Sequence, residues 1–283
     1  MDALTIKRIL IPTDFSKTGL LAVEHAAFMA RIYKAELYLM HAIELSESAF
    51  SIYNPAIIIR DITEIERIAN DQLTRLAEKL KKEYAIKVNT TCITGKLVTE
   101  VATFIKKKKI DILVMGTHGA SGFNEFFVGS NTHKIVTLST CPVISVQTHA
   151  KKLGFTKILL PVDDAFKSRQ KVDATISLAK KYAAKIYILG LLDKEGDVDP
   201  KKFKIKLEAI EKNIEKAGLA YETKITKGDN LAEAALKHSK KVKADLIIVL
   251  NDHESRINGR FLGVFAKQIV NHSRVPVLSL LPH

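Results

Sequence analysis

Short apolar runs rich in Ile, Val and Leu recur along the chain. Between them lie longer stretches in which apolar residues return every three or four positions. In the first half the short runs cover about 6–12, 36–43, 87–93, 111–116 and 142–147. They alternate too little for a sheet with one wet face, so they predict strands covered on both sides. The stretches between them predict helices over 17–34 (Leu20, Leu21, Ala27, Phe28, Ile32), 62–84 (Ile62, Ile65, Ile68, Leu73, Leu76, Leu80) and 97–109 (Leu97, Val101, Phe104, Ile105). Strands alternating with helices imply right-handed crossovers and a parallel α/β sheet. Residues 44–60 break the rhythm, with Ser46, Ser48, Ser51, Asn54 and Pro55 among scattered apolar side chains. They predict a longer loop or lid after the second strand.

The pattern then repeats. Ile9-Leu10-Ile11-Pro12-Thr13-Asp14 returns as Ile158-Leu159-Leu160-Pro161-Val162-Asp163, and Asp111-Ile112-Leu113-Val114-Met115 returns as Asp245-Leu246-Ile247-Ile248-Val249. Ala35-Glu36-Leu37-Tyr38 returns as Ala184-Lys185-Ile186-Tyr187, and Cys141-Pro142-Val143-Ile144-Ser145 as Val275-Pro276-Val277-Leu278-Ser279. Matched blocks in the same order mean a tandem duplication. The seam falls in the polar stretch His149 to Gly154, which gives domains of 1–149 and 150–283. Second-half strands are expected near 156–162, 185–191, 221–226, 245–250 and 276–281, and the long loop of the first half is replaced by the short Asp193 to Pro200.

Composition narrows the class. The chain has 283 residues, 47% hydrophobic and 27% charged, a globular balance with room for two domains. No apolar run approaches the roughly 20 residues of a membrane span. The stretch Met1 to Thr5 lacks the features of a signal peptide. Cys92 and Cys141 are too few for a disulfide framework and read as reduced thiols, so a cytoplasmic protein is expected. No metal-ligand spacing of Cys and His is present. The net charge of +13 divides unevenly: residues 1–149 hold 18 Lys/Arg against 15 Asp/Glu, and residues 150–283 hold 26 against 16. The lysines are scattered through helical stretches without aromatic interleaving, which reads as a solvated surface. Neither a nucleic-acid nor a membrane partner is expected.

The chemistry gathers at strand ends. Asp14 closes the first strand, at the edge where open parallel sheets bind ligands. It is placed to hydrogen-bond a ribose or a base edge, or else to cap the helix that follows, a role Ser16 also fits. Gly116-Thr117-His118-Gly119 follows the buried run Ile112 to Met115, and Gly129-Ser130 precedes a helix start at Asn131 and Thr132. Strand, glycine-rich loop and helix N-terminus in that order build a phosphate site from backbone N–H groups. The spacing is neither the Walker nor the Rossmann fingerprint. His118 has no evident nucleophile beside it, which argues against general-base catalysis.

Together, Pro12-Thr13-Asp14, the Met115 to Gly119 turn, the nine-residue gap to Gly129-Ser130, and Cys141-Pro142-Val143 resemble the universal stress protein family, whose signature G-x2-G-x9-G-[S/T] is matched in full. The resemblance runs over both halves. It implies two tandem adenine-nucleotide alpha-hydrolase-like (HUP, Rossmann-like) domains, each a five-stranded parallel sheet in order 3-2-1-4-5 flanked by helices. It also implies ATP, alone or with Mg2+. Carried onto this sequence, Asp14 would contact the adenosine with Pro12 and Thr13 beside it, and the Ile43 backbone would meet the adenine. Met115, Gly116, His118, Gly119, Gly129, Ser130, Asn131 and Thr132 would surround the ribose and phosphates. The family's dimers imply that the two fifth strands here meet within one chain, an intramolecular pseudo-dimer, and a homodimer of whole chains stays open.

The second half departs from the signature. Registered on Pro142 and Pro276, the residues Gly116, Gly119, Gly129 and Ser130 fall opposite Leu250, His253, Gly263 and Val264. Asp252 and Glu254 would repel phosphate, so this half is expected not to bind ATP. The expected function is an ATP-binding stress-response regulator or protective factor. A slow ATP hydrolase or self-phosphorylating protein, with Ser130 or Thr132 as acceptor, is the rival. A nucleotide-independent interaction or chaperone-like protein is a third reading.

Overall fold

The computed structural model describes residues 4–44, 55–117, 129–163, 170–194, 198–251 and 263–281, with backbone alone for 55–61 and 170. The first half runs β1 (Arg8–Pro12), α1 (Lys17–Tyr33), β2 (Glu36–Ile43), α2 (Pro55–Tyr84), β3 (Val88–Thr94), α3 (Leu97–Lys108), β4 (Ile112–Gly116), α4 (Ser130–Leu138) and β5 (Val143–Val146). The second half runs β6 (Lys157–Val162), α5 (Gln170–Tyr182), β7 (Lys185–Asp193), α6 (Pro200–Lys216), β8 (Tyr221–Gly228), α7 (Leu231–Val242), β9 (Leu246–Leu250), α8 (Val264–His272) and β10 (Val277–Leu280). Both halves are α/β, as the alternating pattern predicts. One boundary moves. The expected loop over 44–60 gives way to helix at Pro55, because proline's fixed φ suits the first helical position and its missing N–H is not needed there. The rest of that loop, 45–54, lies outside the described residues.

All ten strands join one sheet in the order β3-β2-β1-β4-β5-β10-β9-β6-β7-β8. Neighbours within each half are parallel. At the centre β5 and β10 run antiparallel, with Ile144 opposite Leu278. Successive side chains of a strand point to opposite faces, and β1 shows the result: Ile9 and Ile11 join the core under α1 and α2, while Leu10 joins the core under α3 and α4. Each of these two layers continues through the second half. That double cover is why the strands read as unbroken apolar runs.

The duplicated aspartates have a structural task. Asp111 Oδ2 accepts from the backbone N–H groups of Lys7 and Arg8 at 2.7 and 2.8 Å, fastening the start of β1 beside β4. Asp245 repeats this at β6, accepting from Lys157 N at 2.9 Å and from the Lys152 ammonium at 2.5 Å. The halves also meet through side chains. The His25 Nε2–H donates to the Ala150 carbonyl at 2.6 Å, and the Tyr182 ring lies 6.4 Å from Phe28.

Candidate functional site

A cleft opens at the C-terminal ends of β1, β2 and β4, where α1 and α4 begin. Pro12, Thr13, Asp14, Met115, Gly116, Gly129, Ser130, Asn131 and Thr132 all line it. His118 and Gly119, also expected there, lie outside the described residues. His41, Ala42, Gly19 and Leu97 complete the wall.

The β1 end is a tightly tied turn. Thr13 extends the strand by donating its N–H to the Met40 carbonyl at 2.8 Å, and its own carbonyl accepts from His41 Nδ1 at 2.8 Å. Phe15 sits at φ 59°, a left-handed conformation uncommon outside glycine. Its N–H donates to Thr13 Oγ1 at 3.1 Å. Asp14 Oδ1 accepts from the Ser16 N–H at 3.1 Å and the Ser16 hydroxyl at 2.6 Å. Ser16 itself caps α1, accepting from the Gly19 N–H at 3.1 Å. The cap therefore belongs to Ser16, and Asp14 orients it from the cleft side.

Ile43 is where the structure redirects the sequence reading. It is buried, and its carbonyl accepts from the Gly95 N–H at 3.0 Å, so its backbone serves the pairing with β3. Backbone groups alternate along a strand, and Met40 faces β1 through its bond to Thr13. Ala42, two residues on, faces the same way, but β1 pairs no further than Pro12 with Met40. The strand edge offered to a ligand is that of Ala42, one residue before the expected position. Strand parity carries that signal, and parity needs the register, which the sequence does not print.

The β4 end supplies the other pole. Gly129 N–H donates to the Thr117 carbonyl at 2.8 Å, tying the start of α4 to the end of β4, and Thr132 Oγ1 donates to the Gly116 carbonyl at 3.0 Å. Gly129 starts α4 without a side-chain cap, and the first turn holds no acidic residue. The amides of Ser130, Asn131 and Thr132 thus have no acceptor within the helix. They carry the positive end of its dipole into the cleft, the arrangement that binds phosphate. The glycines have a reason besides ligand approach. A β-carbon on Gly116 would stand 3.1 Å from the backbone of Thr18, and one on Gly129 would stand 3.3 Å from the Thr117 carbonyl oxygen. Gly116 lets α1 lie directly on the end of β4.

The cleft thus joins a carboxylate, an open strand edge and a bare helix N-terminus. Among the described residues no group of three or more His, Cys, Asp or Glu could hold a metal ion. A sequence model described as the universal stress protein family matches residues 5–147 and again 154–280. The chain belongs to the universal stress protein family. Universal stress protein MJ0531 of Methanocaldococcus jannaschii is 28% identical over 153 residues, which cover 52% of this chain and 85% of the relative. Universal stress protein MJ0577 of the same organism is 30% identical over 153 residues, covering 50% and 94%. A solved universal stress protein from Archaeoglobus fulgidus shares the fold across 97% of this chain and 98% of its own, with a TM-score of 0.77 at 18% identity.

The two universal stress protein units are not equivalent at their strand ends. In the second, the buried Lys171 ammonium donates to the Pro161 carbonyl and Lys206 to the Asp163 carbonyl, both at 2.8 Å. Lysines thus hold the β6 end that corresponds to Pro12 and Asp14. Gly263 starts α8 at φ −54°, ψ 148°, almost the geometry of Gly129 at φ −54°, ψ 146°. Among the described residues, Asn251 and Gly263 show no counterpart of the bond between Thr117 and Gly129. Asp252, His253 and Glu254, expected to repel phosphate, lie outside the described residues.

Proposed function

We propose that the first half binds ATP in this cleft and that the chain acts as a stress-response regulatory or protective factor. The observation that carries the reading is the uncapped N-terminus of α4 beside Gly116, with Asp14 and Ala42 at the opposite wall. The adenine lies against the Ala42 strand edge, Asp14 meets the ribose, and the phosphates take the amides of Ser130, Asn131 and Thr132. Mg2+ accompanies the ATP through its phosphates. The second half, from the seam at 149/150 onward, keeps the scaffold without taking nucleotide. It pairs with the first through β5 and β10 as an intramolecular pseudo-dimer. Cys92 and Cys141 are free thiols, which suits a cytoplasmic protein.

Mass spectrometry of nucleotide retained through purification tests the ligand, and thermal unfolding with added ATP tests the linkage, since a ligand of the native state raises the midpoint. No retained nucleotide and no shift would leave the interaction-protein reading in its place. Retained ATP that stays intact for hours with magnesium would end the hydrolase reading.

A further inference from the structure

Asn251 follows β9 in the second half and is 1% exposed. Its backbone N–H donates to the Leu280 carbonyl at 2.7 Å, a bond of its own half. Its side chain crosses to the other half, where Nδ2 donates to the Val136 carbonyl at 2.9 Å. Val136 lies in the last turn of α4, where carbonyls have no partner within the helix. The neighbouring orphan, the Ile135 carbonyl, is taken by Ser139 N–H at 2.8 Å. The helix that points its N-terminus into the cleft is therefore capped at its other end by the second half.

Thr117 stands at the equivalent place in the first half, and its hydroxyl donates to Val146 at 3.3 Å, within its own half. The Asn251 Oδ1 is buried without a partner. A buried acceptor left unpaired is unfavourable, so a threonine like that of the first half would be the simpler choice for stability. What asparagine adds is reach to α4.

We propose that Asn251 is a positioning residue for the phosphate end of the first-half site. This rests on the nucleotide reading above. Val136 is six residues from Ser130, about 9 Å along the axis of a rigid helix. A swing at the far end of α4 moves the amides of its first turn, and these act only within a narrow range of hydrogen-bond distances. The adenosine wall at Asp14 and Ala42 belongs to β1, β2 and α1 and does not depend on α4.

The experiment compares ATP and adenosine binding by titration calorimetry in the full chain, wild type against Asn251→Asp and Asn251→Thr. Aspartate keeps the size and turns the donor into an acceptor facing a carbonyl. Threonine restores the residue that the first half carries at this place, so it suits the fold. In both variants ATP binding weakens about fivefold, the scale of one hydrogen bond, while adenosine binding holds. A purely structural role lowers the melting temperature and leaves the ATP-to-adenosine ratio at its wild-type value, and that result in the threonine variant overturns the proposal. A wild-type chain that takes adenosine and ATP equally well also overturns it, because α4 then adds nothing. A wild-type chain that takes neither overturns the nucleotide reading and this inference with it.

Discussion

A β-carbon on Gly19 would stand 2.6 Å from Asp14 Oδ1 and 3.2 Å from Ser16 Oγ. The first turn of α1 is left bare so that the Asp14 carboxylate can lie against it. Gly19→Ala gains about 1 kcal/mol of helix propensity. The carboxylate is the end of a flexible side chain and yields to the new methyl group. Stability is therefore expected to stay level or rise while ATP affinity falls, by about tenfold if one charged hydrogen bond is lost. Calorimetric titration beside thermal unfolding checks it. Unchanged ATP affinity in a well-folded variant would remove Asp14 from the site.

Ala42 makes a second, independent test, since its contribution is backbone. Proline there removes the N–H while leaving Met40 to pair with Thr13. Because β1 stops short of Ala42, no strand bond toward β1 is lost. Ala42→Pro is expected to reduce the preference for ATP over GTP, with the phosphate end intact. Competition between the two nucleotides measures this, and a ratio equal to that of the wild type would place the base elsewhere.

These residues show where sequence reading stops. The strands, the duplication and most of the cleft wall were legible, because burial on both faces and ligand approach at strand ends leave local marks. Ile43 and Ala42 differ by a single residue, and one residue reverses which neighbour a strand's backbone faces. Gly19 carries no local mark within the helical pattern of 17–34, since its demand comes from Asp14 folding back on it. Asp111 and Asp245 are visible as a repeat, but their partners Arg8 and Lys157 lie 103 and 88 residues away along the chain, which no spacing reveals. Asn251 had no signal at all, because its partner Val136 lies in the other half.

Acid should weaken the joint between the halves. Burial holds the His25 imidazole below its ordinary pKa of 6.5, against the opposing pull of the Ala150 carbonyl and Glu24. His25 is therefore neutral when folded, and the unfolded chain binds the extra proton as pH drops. The stabilisation is complete above about 6.5 and is lost as pH falls through that value toward the lower folded one. His133 and His238 shift in the same direction, again chiefly through burial. Melting temperature is expected to fall between pH 7 and pH 5, and to fall less steeply in His25→Gln, which keeps a donor for Ala150 without titrating. Parallel slopes in the two proteins would clear His25 of this role.

The last expectation concerns stoichiometry. The N-terminus of α8 keeps nearly the backbone angles of α4, so the helix alone does not separate the halves. The difference is at the β6 end, where Lys171 and Lys206 bind the carbonyls of Pro161 and Asp163, and where the first half presents Asp14 against a bare glycine. An ammonium group seated on a strand-end carbonyl competes for the edge that a ribose and base would use. Titration should therefore saturate at one ATP per chain, and Gly129→Val, which crowds the entrance of α4, should abolish it altogether. Two equivalents of similar affinity would give the second half a working site of its own, and one equivalent that survives Gly129→Val would move the site to the second half and reverse the assignment of the two units.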